Sequence, residues 1–155
     1  MLLSIEKNIQ EIINILSEDE KLIFLLTNNE ILSSADIKKN ELVVSYPVML
    51  DSENKLAFVS VIMDNAPIIN NTTYIVNFKI SCGVSRDFWL TEDKKIRIYE
   101  IANRIETLLN NIRVSNSTGI LQLKNVSSVY WNSITTGISL VFQLTEGETN
   151  AKQII

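Results

Sequence analysis

From Thr72 to Ile112 the chain reads TTYIVNFKISCGVSRDFWLTEDKKIRIYEIANRIETLLNNI, and this stretch decides the fold. Tyr74, Val76, Phe78, Ile80 and Cys82 alternate with Ile75, Asn77, Lys79 and Ser81. A period of two places the first set on one face of a strand, turned toward a core. Further on, Ile98, Ile101, Ile105, Leu108, Leu109 and Ile112 recur at three- and four-residue spacing, which predicts an amphipathic helix laid against that sheet. Gly83 to Asp93 reads as the loop between them, with Thr91 as helix N-cap and Glu92 and Asp93 in an acidic first turn.

Toward the N-terminus, Ile5, Ile9, Ile12, Ile13 and Leu16 form one apolar stripe, so the chain opens with a helix of about three turns. Ser17 with Glu20 reads as a capping box that restarts a second helix, ending near Asn28-Asn29. Glu41 to Leu50 is rich in β-branched residues, but Pro47 cannot donate to a ladder, which places the segment on a sheet edge or in an extended arm. Asp51 to Lys55 is a polar turn. Leu56 to Met63 then has apolar residues in both of its alternating rows and predicts a strand covered on both faces. Toward the C-terminus, Ile120 to Trp131 and Ile138 to Leu144 form a hairpin about Asn132 to Gly137, and the residues from Glu146 fray.

The expected fold is therefore α+β: a mostly antiparallel sheet of about four to five strands, with N-terminal helices and one long mid-chain helix packed on it. All 155 residues read as one domain, with a helical part over 1–30, a core over 41–145 and a tail over 146–155. No repeat or linker divides it.

Composition narrows the chemistry. Histidine is absent, which removes the commonest general base and metal ligand. Cys82 stands alone, so no intrachain disulfide or thiolate cluster forms, and its place in the apolar row makes it a small core residue. The net charge is −4 and no basic stripe runs along the chain, which argues against tight binding to nucleic acid. No apolar run is long enough to cross a bilayer, and the first residues lack a basic leader and cleavage site, so a cytoplasmic protein is expected. No cofactor is implied, because Gly83 and Asp87 lack the second glycine and lysine of a phosphate loop. Ser17-Glu18-Asp19-Glu20 is acidic enough for a hard cation, yet helix capping explains it. Asp51 and Glu53 read as a solvated turn.

Two clusters fit an interaction surface. Arg86, Asp87, Phe88 and Trp89 put a charge pair and two large aromatics into one loop, a composition enriched at protein contacts. The same rings could equally fold back as a lid over the core. Tyr130 and Trp131 close a strand at the hairpin tip and are the second candidate for a subunit contact.

The layout of TYIVNFKISCGV, RIYEIANRIETLL, GILQLKNVSSVYW and GISLVFQL, over roughly Leu2 to Leu144, resembles the tail terminator and head–tail connector (neck) proteins of tailed bacteriophages, with their relatives in R-type bacteriocins. Tyr99, Ile101, Ala102, Arg104 and Ile105 stand where the mid-chain helix of those proteins lies, and Gly137 to Leu144 reads like their closing strand. The resemblance implies a virion or phage-tail-like particle protein, assembled in the bacterial cytoplasm and forming a homo-oligomeric, usually hexameric ring. Its partners would be the tail tube protein, with sheath and neck or connector proteins beside it, while DNA at most passes through the lumen. A terminator caps the tube and fixes its length, whereas a connector or stopper sits nearer the portal. An enzyme using carboxylates such as Glu92 and Asp93 with a metal is the distant alternative.

Overall fold

The computed structural model describes residues 1–27, 36, 42–48, 56–114 and 119–147. The fold is α+β. Helix α1 (Leu2–Ser17) buries Ile5, Ile12, Ile13 and Leu16, the stripe that its spacing marks out. It runs through Ser17, which is buried and starts nothing. The cap of helix α2 (Glu20–Thr27) is Asp19 instead, whose Oδ2 accepts the Leu22 N–H at 2.9 Å. A carboxylate facing the first turn of a helix meets both unpaired N–H groups and the positive end of the dipole, so it outcompetes the serine hydroxyl. Asn28-Asn29, where α2 was expected to end, lies outside the described residues, as does the turn over Asp51 to Lys55.

Five strands form one mixed sheet in the order β1-β2-β3-β5-β4. They are β1 (Val43–Val44), β2 (Ala57–Asn65), β3 (Thr73–Ser85), β4 (Gln122–Tyr130) and β5 (Thr135–Gly147). Only β1, the edge strand just before Pro47, pairs in parallel; the other pairs are antiparallel. Strand β3 continues through Gly83 to Ser85, so the glycine sits inside the sheet and not in a loop. Strand β5 likewise continues past Leu144 to Gly147, with Glu146 buried opposite Tyr74.

Helix α3 (Arg97–Leu109) begins later than a Thr91 cap predicts, and it ends before Ile112, the last residue of its apolar spacing. Thr91 does not cap it. The Thr91 N–H and C=O bond Lys95 and Lys94, its Oγ1 accepts the Lys95 N–H, and Lys94 takes a left-handed φ of 64°. The segment Leu90 to Ile96 thus closes on itself as a tight turn, and the helix begins only after it. At the far end Asn111 takes a φ of 66°, and Ile112 lies past the helix.

Helices α1, α2 and α3 cover one face of the sheet. Phe78, Ile80 and Val76 of β3, with Leu140, Phe142 and Leu144 of β5, meet Leu16, Leu22, Ile101, Ile105 and Leu109 there. Each such side chain, fully buried, contributes about 1.5–3 kcal/mol.

The opposite face is built differently. Phe58, Gly83 and Gly137 lie side by side across β2, β3 and β5. A Cβ on Gly83 would strike the Phe58 ring, and one on Gly137 would strike Cys82 O and the Trp131 ring. The paired glycines therefore form a notch in which Phe58 and Trp131 lie edge to face, their centroids 5.0 Å apart. Farther along, this face is polar: Ser81 bonds Ser139, and Asn77 bridges Asn65 and Gln143.

Candidate interface surfaces

The two clusters singled out by composition meet at one end of the sheet. Ser85 pairs with Thr135, and the Arg86 N–H donates to Ile134 O at 2.9 Å, so the turn after β3 is tied to the hairpin tip of β4 and β5. They share that end without sharing a face. Phe88 and Trp89 pack partly buried against the helix-side core, while Trp131 lies over Phe58 on the opposite face and donates from Nε1 to Val48 O at 3.2 Å. Arg86 and Asp87 are exposed, and Tyr130 is 84% exposed, the most exposed large apolar residue described.

Arg97 holds the Phe88 turn in place. Its guanidinium lies 3.6 Å over the Phe88 ring and donates to three carbonyls: Phe88 O at 2.8 Å, Leu25 O at 2.9 Å and Leu90 O at 3.2 Å. These bonds knit the end of α2, the short 3-10 turn Arg86–Phe88 and the Leu90 turn onto the first residue of α3. Burial pushes the Arg97 pKa down from its ordinary value, with Glu92 opposing the shift. The planar fork and its several donors make arginine suited to this role. Sequence reasoning passed over Arg97, because one basic residue at a helix start gives no sign that three backbone segments converge on it.

Glu92 and Asp93 are exposed in the turn beside Arg97, and they line a shallow pocket with Thr91, Lys95 and Glu100. Among the described residues no three His, Cys, Asp or Glu side chains gather closely enough to hold a metal. Cys82 is wholly buried, which pushes its thiol up to about 12. No described helix is long and apolar enough to cross a membrane.

Two further surfaces were not legible from motifs. At the other end of the sheet, Leu2, Leu3, Ile68 and Ile69 are all more than half exposed, and Met1 and Ile68 line one pocket with Tyr74. The signal was present in Leu2 and Leu3, which fall outside the stripe that starts at Ile5. The second surface is strand β4, exposed at nearly every position and placed at the sheet edge beyond the helices.

Comparison of the chain with curated proteins gives no match. Among solved structures, a chain of the virion of a native gene transfer agent particle shares the fold, with a TM-score of 0.57 and 13% identity. The match covers 88% of this chain and 91% of that one, so both layers are shared and not the sheet alone. A family model described as YomW matches residues 7–144, from α1 into the last strand, and the chain belongs to the YomW family.

Proposed function

We propose that this chain is a structural protein of a phage-like particle: a tail terminator that forms a homo-oligomeric ring on the tail tube, fixes tube length and joins the tail to the neck. The observation that carries the reading is the fold shared, over nearly the full length of both chains, with a chain of a gene transfer agent virion. Its surface fits a protein that works by contact. Exposed apolar residues stand at both ends of the sheet, Leu2, Leu3, Ile68 and Ile69 at one and Leu90, Tyr99 and Tyr130 at the other. A ring on a tube needs two such ends, one for the tube and one for the neck.

On this reading Arg86, Asp87 and Tyr130 meet a neighbouring subunit or the tube directly, and Phe88, Trp89 and Trp131 shape the surface from behind. Mixing the protein with its tube protein and imaging by negative stain is expected to show tubes of uniform length with capped ends. Tubes of unlimited length, unchanged by the protein, would sink the proposal. Co-purification with a portal-side ring in place of the tube would assign the chain to the connectors. Tyr130→Ala combined with Arg86→Ala is expected to weaken capping by more than about 1 kcal/mol while leaving the melting temperature unchanged.

A further inference from the structure

Between the bulge at Leu123/Asn125, where Lys124 sits, and the hairpin turn, the outer edge of β4 is unprotected. Among the described residues no strand lies beyond it. From Asn125 to Thr135 the sequence has neither a charged residue nor a proline, the two commonest blocks to edge pairing. The other edge of the sheet is protected, because β1 is two residues long and buried.

The main chain of β4 has a definite polarity. The Trp131 N–H donates inward to Thr135 O at 3.2 Å. Because hydrogen-bonding direction alternates along an antiparallel strand, the groups of Trp131, Val129 and Ser127 face β5, and those of Tyr130, Ser128 and Val126 face outward. A bulge between Leu123 and Asn125 ends this regular run on one side, and the hairpin turn ends it on the other. The outward positions are therefore symmetric about Ser128. Their side chains point to the helix-covered face, yet Val126 is 55% and Tyr130 84% exposed.

We infer that β4 is a homotypic pairing edge, on which a second copy of this chain docks antiparallel with Ser128 opposite its own counterpart. This register places Val126 opposite Tyr130 of the second copy, and Tyr130 opposite Val126, forming two aromatic–β-branched cross-strand pairs on one face. It also satisfies the outward N–H and C=O groups of all three positions at once. The chain carries a net charge of −4, but the two copies meet through an uncharged window, so no like charges are brought together at the seam. The two five-stranded sheets become one continuous sheet about a dyad normal to it. Such a contact is isologous, whereas a six-fold ring closes through heterologous contacts. The pair is therefore a state of the free protein, independent of the terminator reading, and its separation frees β4 for assembly.

The test uses the full-length protein. Sedimentation at rising concentration is expected to reach twice the 17.6 kDa chain mass. Ser128→Cys is expected to cross-link under mild oxidation, since directly opposed residues lie about 5.5 Å apart, within disulfide reach. Ser127→Cys is expected to cross-link far less, because it would face Val129 of the second copy, and buried Cys82 does not compete. Ser128→Lys puts two ammonium groups at the dyad and is expected to yield a monomer with an unchanged circular dichroism spectrum; Tyr130→Ser is expected to weaken the pair at least tenfold. A monomer at millimolar concentration would overturn the inference. So would a dimer that survives Ser128→Lys, or equal cross-linking at 127 and 128.

Discussion

Arg97 shows how one side chain can do the work of a small core. It is 4% exposed, and among the described residues it bonds backbone carbonyls and an aromatic face, with no carboxylate at hydrogen-bond distance. Replacing it with methionine keeps the volume but strands three part-buried acceptors. Arg97→Met is expected to cost about 3 kcal/mol in urea unfolding. Arg97→Lys should recover only part of this, because one ammonium cannot reach three segments in a fixed plane. Asp19 plays a second joining role, capping α2 while pairing with Arg104 in α3 at 2.6 and 2.8 Å. The Arg104 guanidinium holds the Asp19 carboxyl below its ordinary 3.8, with burial opposing and the Leu22 N–H assisting. The folded pKa is depressed, so this contribution is fully present above the unfolded value and is lost as pH falls through the folded one. Asp19→Asn is expected to flatten the fall of the urea midpoint between about pH 5 and 2, and to lower the midpoint at neutral pH. The Cys82 thiol, buried and pushed up to about 12, should react with a thiol reagent only after unfolding.

At the scale of elements, the glycine pair sets the shape of the far face. Gly137→Ala has no room against Cys82 O and the Trp131 ring, so it is expected to cost about 1–3 kcal/mol and to raise the exposure of Trp131, readable as a shift in its fluorescence. Gly83→Ala should act on Phe58 in the same way. The periods of β3, α1 and α3 were legible because each of these elements buries one face along most of its length: their rows and stripes stand where spacing puts them. The element boundaries were not. Gly83 looked like loop punctuation because its use depends on Phe58, a residue of a different strand, and Thr91 looked like a cap because the Lys94 turn that claims it involves a left-handed residue other than glycine. The candidate clusters at Arg86 and Tyr130 were visible as composition. That they share one end of the sheet follows from the register of β3 with β5, which pairs Ser85 with Thr135 and is written in no single segment.

For the whole molecule, the two-layer body joins an edge strand that is uncharged from Asn125 to Tyr130, two exposed apolar ends and a helix layer pinned by Arg97. This combination suits a protein whose work is to be contacted. One consequence of the strand order concerns how the chain reaches this state. Strand β5 follows β4 in sequence and is the last strand among the described residues, yet it lies between β3 and β4, and its ladder pairs Thr73 with Gly147. While the polypeptide is being made, β3 has only β2 beside it, and the apolar row from Tyr74 to Val84 has half its neighbours missing until β5 emerges. Closing so long a loop is entropically slow, so refolding is expected in the millisecond-to-second range and in one cooperative step. A chain stopped before Thr135 should expose a central strand and not a peripheral one, and is expected to aggregate where a full chain does not. Until β5 is made, the central strand of the sheet therefore waits with one edge unpaired.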